Sequence, residues 1–382
     1  YMAKISEITG RTYKPFNYYG AEDAERVIVS MGSLSDVVYQ AVNYLNGKGE
    51  KVGVINVHLY RPFSAKHLQA VLPKTVKKIA VIDRTKEPGA MGEPLYLDIV
   101  NFAKTVGLDV DIIGGRAGLG SKDVLPEDIL PVFEELQKDH PMHGFTIGIV
   151  DDVTNLSLPR ADKMPLDTTG LTACKFWGFG SDGTVGANKS AIKIIGDHTD
   201  LYAQAYFAYD SKKSGGVTVS HLRFGTKPID MPYLIDAADY IACHRQSYVK
   251  RFDLLRGIKD GGTFMLNCTW SDEELDHQLP ARIKRAIAKH HVKFYTLNGD
   301  AIGQKLGLGT RINMVMQAAF FALAKVIPLD DAVKYLKDSI VKSYGKKGQK
   351  VVDMNWAAVD AGIGEFHEVN YPASWADAVD ET

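Results

Sequence analysis

Residues 26–59 read RVIVSMGSLSDVVYQAVNYLNGKGEKVGVINVHL, and this stretch decides the fold class of the chain. Its first apolar run, residues 26–31, predicts a buried strand that ends at the turn residue Gly32, and residues 52–59 predict a second strand. Between them, Ser35 and Asp36 can cap a helix in which apolar residues recur at helical spacing. A strand, a helix and a strand in this order predict two parallel strands joined by a right-handed crossover.

The alternation of strands and helices continues outward to about residue 150 and resumes at residue 171. Further strands are predicted at residues 78–83, 110–113, 171–177, 201–209, 217–222, 240–243, 263–267 and 292–297. Further helices are predicted at residues 96–106, 126–137, 188–195, 272–290, 314–326 and 329–344. Residues 151–170 are polar and contain Pro159 and Pro165, which is typical of a linker. We therefore predict an α/β protein of two domains, residues 1–150 and 171–382, each a mostly parallel sheet flanked by helices, with a linker at 151–170.

The composition excludes several classes of partner. The 382 residues carry a formal net charge of -1, so no general attraction to nucleic acid or to an acidic membrane is expected. The mostly apolar stretch 318–327 is interrupted by Lys325 and is shorter than the roughly 18 residues of a membrane span. The chain begins with Tyr1 and lacks the apolar core of a signal peptide. These features predict a cytoplasmic chain cut from a longer protein, with an organelle as the alternative compartment.

The cysteines give no sign of a metal site. There are three, Cys174, Cys243 and Cys268, and no two of them are separated by only two residues. Zinc and iron–sulfur sites usually draw on such closely spaced thiols. We therefore predict no metal site in this chain and interpret the cysteines as buried core residues in a reducing compartment.

The most informative motif is the glycine-rich run at residues 178–189, GFGSDGTVGANK, between a predicted strand and a predicted helix. Glycines allow the backbone to turn sharply and let amide N–H groups approach a phosphate closely. The following helix adds partial positive charge at its N-terminus, and Ser181 and Thr184 can donate hydroxyl hydrogen bonds. The run therefore predicts an anion site, with a tight strand–helix turn as the alternative.

The next loop along the chain narrows the choice of ligand. A dinucleotide site requires an acid at the end of the following strand, and Asp210 has that position. However, Lys212 and Lys213 follow directly, with Gly215 and Gly216 behind them, and this favours a second phosphate over a ribose hydroxyl. Coenzyme A carries a pyrophosphate and a separate 3′-phosphate, so two neighbouring anion loops suit it. A solvated turn is the alternative for the lysine pair.

Several of these motifs together resemble the pyruvate:ferredoxin oxidoreductase family. Residues 29–33, 59–63 and 83–89 (VSMGS, LYRPF and DRTKEPG) are similar to its transketolase C-terminal-like domain. Residues 180–189 (GSDGTVGANK) are similar to its gamma domain, which holds coenzyme A. The resemblance covers essentially the whole chain. It implies that residues 1–150 are the transketolase C-terminal-like domain and that residues 171–382 are the gamma domain.

The resemblance also implies a set of ligand contacts. The residues that match coenzyme A-binding positions of the family are Ser181, Asp182, Gly183, Thr184, Val185, Lys213, Asn313 and Asn355. Residues 181–185 would line the pyrophosphate, Lys213 would bind a phosphate, and Asn313 and Asn355 would hydrogen-bond coenzyme A. No catalytic residue is expected in this chain.

The family oxidatively decarboxylates pyruvate to acetyl-CoA and transfers electrons to ferredoxin or flavodoxin, in electron transport and anaerobic metabolism. The resemblance implies that thiamine diphosphate, magnesium and [4Fe-4S] clusters are held by domains absent from this chain, and that the full enzyme is a homodimer. We expect the chain to supply coenzyme A binding and inter-domain scaffolding and to be inactive alone. The alternatives are another 2-oxoacid oxidoreductase of the superfamily and a non-catalytic nucleotide-binding assembly module.

Overall fold

The computed structural model describes residues 1–210 and 215–380. The chain divides into two compact units. Unit 1 comprises Tyr1–Asp167 together with Asp230–Tyr233, and unit 2 comprises Thr168–Ile229 and Leu234–Thr382. Both units contain a sheet with helices, so the predicted α/β fold class is confirmed.

Unit 1 is built on a six-stranded sheet. In chain order its elements are α1 (Met2–Thr9), β1 (Phe16–Gly20), β2 (Arg26–Met31), α2 (Leu34–Gly47), β3 (Val52–Val57), α3 (Ala65–Val71), β4 (Lys78–Asp83), α4 (Pro94–Val106), β5 (Asp111–Arg116), α5 (Pro126–Glu135) and β6 (Phe145–Thr146). The strand order is β1-β3-β2-β4-β5-β6, and only β1 is antiparallel to its neighbour.

Apolar residues on both faces of this sheet explain its helical layers. In β2, Val27, Ile28 and Val29 are all buried, although adjacent side chains point to opposite faces of a sheet. One face packs against α2 and α5, and the other packs against α3 and α4. The short segment Asp230–Tyr233 joins the first of these faces, where the Tyr233 hydroxyl donates to Gln40 Oε1 at 2.8 Å.

Unit 2 contains a seven-stranded mixed sheet. In chain order its elements are β7 (Leu171–Phe179), α6 (Thr184–His198), β8 (Tyr202–Tyr209), β9 (Val217–Gly225), β10 (Ala238–Cys243), β11 (Ile258–Asn267), α7 (Asp272–Gln278), α8 (Ala281–Lys289), β12 (Lys293–Leu297), α9 (Gly299–Lys305), α10 (Asn313–Ala324), α11 (Leu329–Tyr344), α12 (Gln349–Gly364) and β13 (His367–Glu368). The strand order is β13-β12-β11-β10-β7-β9-β8, in which β12, β11, β10 and β7 are parallel. Helices α6 and α10–α12 pack on one face, and α7 and α8 pack on the other.

The sheet of unit 2 differs from the sequence expectation at its β8 edge. Strand β9 runs antiparallel to both β7 and β8. Only residues 210–216 connect β8 to β9, and a crossover between parallel strands needs about a dozen residues or more. A short connection therefore forces a hairpin. The single helix expected at residues 272–290 is also divided, because Pro280 lies between α7 and α8 and cannot donate a helical hydrogen bond.

Most of the predicted linker belongs to unit 1 in the structure. Residues 156–158 hydrogen-bond Thr146, and Met164 is buried, with its N–H donating to Glu127 at 3.0 Å. The Arg160 guanidinium binds the Asp128 carboxylate through two contacts of 2.7 and 2.9 Å. The three-part division at residues 150 and 170 stays a prediction, and the compact units meet at Asp167 and Thr168 along the chain.

None of the helices in the described residues is both long enough and apolar enough to cross a bilayer.

Candidate functional site

The glycine-rich run lies where the strand order of unit 2 reverses. After β7 the chain passes through α6 to β8 on one side of the sheet, whereas β10 lies on the other side of β7. In open α/β sheets, ligands bind outside the carboxyl ends of the strands at such a switch point, because the connections diverge there and leave a crevice. The carboxyl ends of β7 and β10 are Phe179 and Cys243, so residues 180–183 and 244–245 border this crevice.

The loop between β7 and α6 is held by the carboxylate of Asp182. Its Oδ2 accepts the N–H of Phe179 at 2.7 Å, and its Oδ1 accepts the N–H of Thr184 at 2.8 Å. Two residues of the loop have positive φ angles, Ser181 at 80° and Gly183 at 88°. A serine in this region is uncommon and costs about 1–2 kcal/mol relative to an ordinary backbone. Both oxygens of Asp182 therefore serve the loop itself.

This arrangement leaves several backbone donors at the start of α6. Of the first helical amides, Thr184 N–H bonds to Asp182 and Ala187 N–H bonds to the Gly183 carbonyl at 3.0 Å. The N–H groups of Val185 and Gly186 have no hydrogen-bond partner among the described residues. Amides of this kind, together with the positive end of the helix dipole, form a binding site for an anion.

Thr184 is turned away from this site. Its side chain is 2% exposed, and its hydroxyl lies 2.7 Å from Nδ1 of His244, which directly follows β10. Burial lowers the pKa of His244 to about 4, and the nearby charge of Asp182 opposes this effect. His244 is therefore neutral at pH 7 and ties the carboxyl end of β10 to the first residue of α6. The N–H and the hydroxyl of Thr184 are both used within the protein.

Asn313 is brought against the loop from a distant part of the chain. It is the first residue of α10, and a Cβ placed on Gly183 would lie 2.7 Å from its carboxamide carbon. One turn later, Gln317 Nε2 donates to the Ala187 carbonyl at 3.0 Å, which fixes α10 to the first turn of α6. Within the described residues, Asn313 Oδ1 and Asn188 Nδ2 are buried without a hydrogen-bond partner. The site therefore holds unused polar groups as well as free amides.

A cavity of 560 Å³ opens beside the loop. Its lining residues are Phe179, Gly180, Ser181, Asp182, Gly183, Val185, Gly186, Tyr209, Asp210 and Thr218. Two aromatic rings and two carboxylates therefore accompany the loop backbone. A volume of this size is typical of small-molecule sites.

The residues predicted as ligand contacts are distributed unevenly around the cavity. Ser181, Asp182, Gly183 and Val185 line it, and Asn313 touches Gly183. Asn355 lies on α12, is 7% exposed, and donates to the Val351 carbonyl of its own helix at 2.8 Å, so the structure does not group it with the cavity lining. Lys213 lies outside the described residues. The ligand contacts of all these residues stay predictions.

Sequence reasoning missed His244 and the aromatic lining residues Phe179 and Tyr209. Phe179 and Tyr209 end the strands β7 and β8, and His244 directly follows β10. Position at the carboxyl end of a strand was the available signal. It becomes informative only once the strand order identifies the switch point.

Among the described residues, the side chains offer no grouped donor set for a metal ion or an iron–sulfur cluster. In the part of the chain that the structure describes, no three His, Cys, Asp or Glu side chains are grouped to hold a metal ion. The three cysteines are buried free thiols. Burial raises the pKa of Cys243 to about 12 and that of Cys268 to about 11, so these thiols stay protonated and are poor ligands. We assign no step of chemistry to this chain through those groups.

Two family models match the chain. Residues 173–365 match the model described as "Pyruvate ferredoxin/flavodoxin oxidoreductase", and residues 24–129 match "Pyruvate:ferredoxin oxidoreductase core domain II". The first match covers most of unit 2, including the loop and cavity. The second covers most of unit 1.

Several known proteins are similar over the whole chain or part of it. The chain is 59% identical over 382 residues to the pyruvate-flavodoxin oxidoreductase of Enterobacter agglomerans. The aligned region covers 100% of the chain and 33% of that relative. It is 53% identical to the mitochondrial pyruvate dehydrogenase [NADP(+)] of Euglena gracilis, over 99% of the chain and 21% of that relative. The solved pyruvate oxidoreductase subunit PORC of Thermotoga maritima is 15% identical, covers 53% of the chain and 99% of its own, and has a TM-score of 0.43. The chain belongs to the pyruvate ferredoxin/flavodoxin oxidoreductase family, and it spans about a third of the length of its curated pyruvate-flavodoxin relative.

Proposed function

We propose that this chain is the coenzyme A-holding part of a pyruvate:ferredoxin or pyruvate:flavodoxin oxidoreductase. In that enzyme, pyruvate is oxidatively decarboxylated to acetyl-CoA, and electrons pass to ferredoxin or flavodoxin. The observation that carries the proposal is the loop at the switch point of unit 2, where free amides of Val185 and Gly186 adjoin a cavity of 560 Å³. The relatives support the reaction, because Enterobacter agglomerans has a pyruvate-flavodoxin oxidoreductase of this family.

Coenzyme A suits the site because it combines two separate phosphate groups with an aromatic base. The loop containing Gly180 contacts the next loop directly, since Gly180 N–H donates to the Gly216 carbonyl at 2.8 Å. The first loop offers amides to a pyrophosphate, and Lys213 of the second offers a charge to another phosphate. Phe179 and Tyr209 supply aromatic surface in the same cavity, against which an adenine can stack.

The residues of this chain bind and orient the ligand in this proposal and move no proton. Asp182 fixes the loop, His244 fixes Thr184, and Asn313 closes the loop from α10. The groups that decarboxylate pyruvate and carry electrons, namely thiamine diphosphate with magnesium and [4Fe-4S] clusters, are assigned to the remainder of the full enzyme. We propose the same for the contacts with ferredoxin or flavodoxin and for a homodimer interface.

A dinucleotide is the second candidate, because Asp210 lines the cavity at the end of the strand that follows α6. Isothermal titration of the 382-residue chain with coenzyme A and with NAD⁺, under identical conditions, separates the two. Binding of coenzyme A with at least a tenfold preference over NAD⁺ is expected, because only coenzyme A carries the additional 3′-phosphate for Lys213, and a charged hydrogen bond contributes about 1.5–3 kcal/mol. Equal or preferential binding of NAD⁺ contradicts the proposal and favours a nucleotide-binding assembly module.

A further inference from the structure

The charges around the cavity pose a problem for an anionic ligand. Among the described lining residues, the charged side chains are the carboxylates of Asp182 and Asp210, and no lysine or arginine lines the cavity. The negative charge of Asp182 beside a phosphate costs binding energy unless a cation offsets it. Lys189, the first lysine of α6, has its Nζ over the ring of Phe207 instead, 5.5 Å from the centroid.

Arg245 is a cation positioned beside this cavity. It follows β10 by two residues, at the switch point, and its guanidinium carbon lies 4.2 Å from the ring centroid of Phe179. Phe179 lines the cavity. An arginine that rests on an aromatic face is held in a limited set of orientations while its N–H groups remain available at the edge of the guanidinium.

The backbone of Arg245 is fixed, and its charge is not used elsewhere in the described structure. The carbonyl of Arg245 accepts the Tyr248 N–H at 3.0 Å and lies 3.2 Å from the thiol of Cys243. Asp182 does not pair with the guanidinium, because its oxygens accept the N–H groups of Phe179 and Thr184. As far as the described residues go, the guanidinium forms no ion pair or hydrogen bond, and the side chain is exposed.

We propose that Arg245 is a specificity-determining residue whose guanidinium binds a phosphate of the nucleotide ligand at this cavity. This inference rests on the proposed function and adds to it a contact from β10, opposite the loop of β7. The guanidinium offsets the charge of Asp182 and supplies paired donors that match a phosphate.

The test compares Arg245→Ala, Arg245→Lys and Arg251→Ala in the 382-residue chain. Arg251 is the matched control, because it is also exposed and also rests over a phenylalanine, Phe252, which does not line the cavity. Coenzyme A affinity, measured by isothermal titration, is expected to fall about 10- to 100-fold in Arg245→Ala and to be partly restored in Arg245→Lys. The dependence of affinity on salt should also become flatter in Arg245→Ala, because one screened charge pair is lost.

Repeating the titrations with 3′-dephospho-coenzyme A identifies the phosphate. If Arg245→Ala loses affinity for this ligand as well, Arg245 binds the pyrophosphate. If Arg245→Ala and the parent chain bind it equally, Arg245 binds the 3′-phosphate. Both results support the proposal. Equal coenzyme A affinity in Arg245→Ala, Arg251→Ala and the parent chain, with all three folded by circular dichroism, overturns it. If the parent chain itself does not bind coenzyme A, the proposed function fails, and this inference fails with it.

Discussion

The two sheets of this chain use the carboxyl ends of their strands differently. In unit 1, the carboxylate of Asp83 at the end of β4 accepts the N–H groups of Leu95 and Tyr96 at 3.0 and 3.2 Å, so the start of α4 is satisfied internally. In unit 2, Asp182 accepts only the N–H of Thr184 from the start of α6, and the N–H groups of Val185 and Gly186 have no acceptor among the described residues. The position of a single carboxylate therefore decides whether the first amides of the following helix are hydrogen-bonded within the protein, as in unit 1, or stay available for the anion proposed in unit 2.

The strongest test of this contrast is Gly183→Val. We expect coenzyme A binding to fall more than about 100-fold, because a β-branched residue disfavours φ near 88° and its Cβ would collide with Asn313. Isothermal titration measures the loss. Gly196→Val is the matched control, since Gly196 lies on the same helix and an added Cβ there would meet open space. Near-parent affinity in Gly183→Val would contradict the anion site.

A second test uses the buried histidines of unit 2. Burial lowers the pKa of His221 to about 4, with the charges of Lys175 and Arg223 adding to the effect, and burial also lowers the pKa of His244 to about 4. The unfolded chain, with an ordinary histidine pKa near 6.5, therefore takes up protons first as the pH falls. Unit 2 should keep this stability above about pH 6.5 and lose it progressively as the pH falls from about 6.5 through about 4, by about 3 kcal/mol for His221.

Urea unfolding followed at pH 7 and at pH 4.5 measures this loss. His221→Asn keeps an acceptor for the Ile235 N–H, which His221 Nδ1 accepts at 3.1 Å, and removes the titration. The pH dependence of unit 2 should become shallower in this variant. The exposed His290 provides the control, and His290→Asn should leave the pH dependence unchanged. Equal slopes in both variants would show that His221 is not the titrating group.

Asp83→Ala tests the role of the carboxylate in unit 1. We expect unit 1 to lose about 1–3 kcal/mol, because two amides at the start of α4 lose their acceptor, while coenzyme A affinity stays at the parent value. Hydrogen–deuterium exchange of residues 94–106 reports the local loss, and titration reports the affinity. Asp111→Ala, at an exposed position at the start of β5, is the control. A drop in affinity would mean that the two sheets are not independent in function.

The smallest expected effect concerns the boundary between the units. Residues 167–170 are exposed at the boundary between the units, whereas residues 156–164 are held to unit 1 by hydrogen bonds to Thr146 and Glu127. Limited proteolysis should therefore cut first at 167–170, and Arg160→Ala should extend cleavage upstream by loosening the contact with Asp128. Mass spectrometry of the fragments gives the sites. First cleavage at residues 151–160 in the parent chain would favour the longer linker predicted from the sequence.

The sequence predicted those features that depend on neighbouring residues. The crossover of residues 26–59 and the glycine-rich turn between β7 and α6 follow from local periodicity and glycine spacing, and the structure forms β2, α2 and β3 close to the expected bounds. Anion binding by this turn stays a prediction. The antiparallel placement of β9 did not emerge, because it depends on the length of the connection after Tyr209 and not on the strand's own pattern. The helix α12 was also missed.

The candidate site was predictable in its backbone and less so in its side chains. Spacing suggested a hydroxyl of Thr184 facing a phosphate, but the tertiary fold turns it to His244, which comes from a strand far along the chain. Asn313 reaches Gly183 for a similar reason, through packing of α10 on α6. Its role was suggested by family resemblance and not by local pattern, because the residues near a loop do not predict which distant helix packs against it.

The left-handed backbone of Ser181 has a consequence for the kinetics of ligand capture. A loop that already holds its amides in a costly conformation incurs the loss of conformational entropy when the protein folds, and little remains to be lost when a ligand arrives. Ser181→Gly would relieve this strain and so increase the stability of the folded state. The glycine would also allow many other loop conformations, so the rate of ligand association would fall. In the proposed function, Ser181 thus acts as a preorganising element, which keeps the loop in its binding conformation before a ligand arrives.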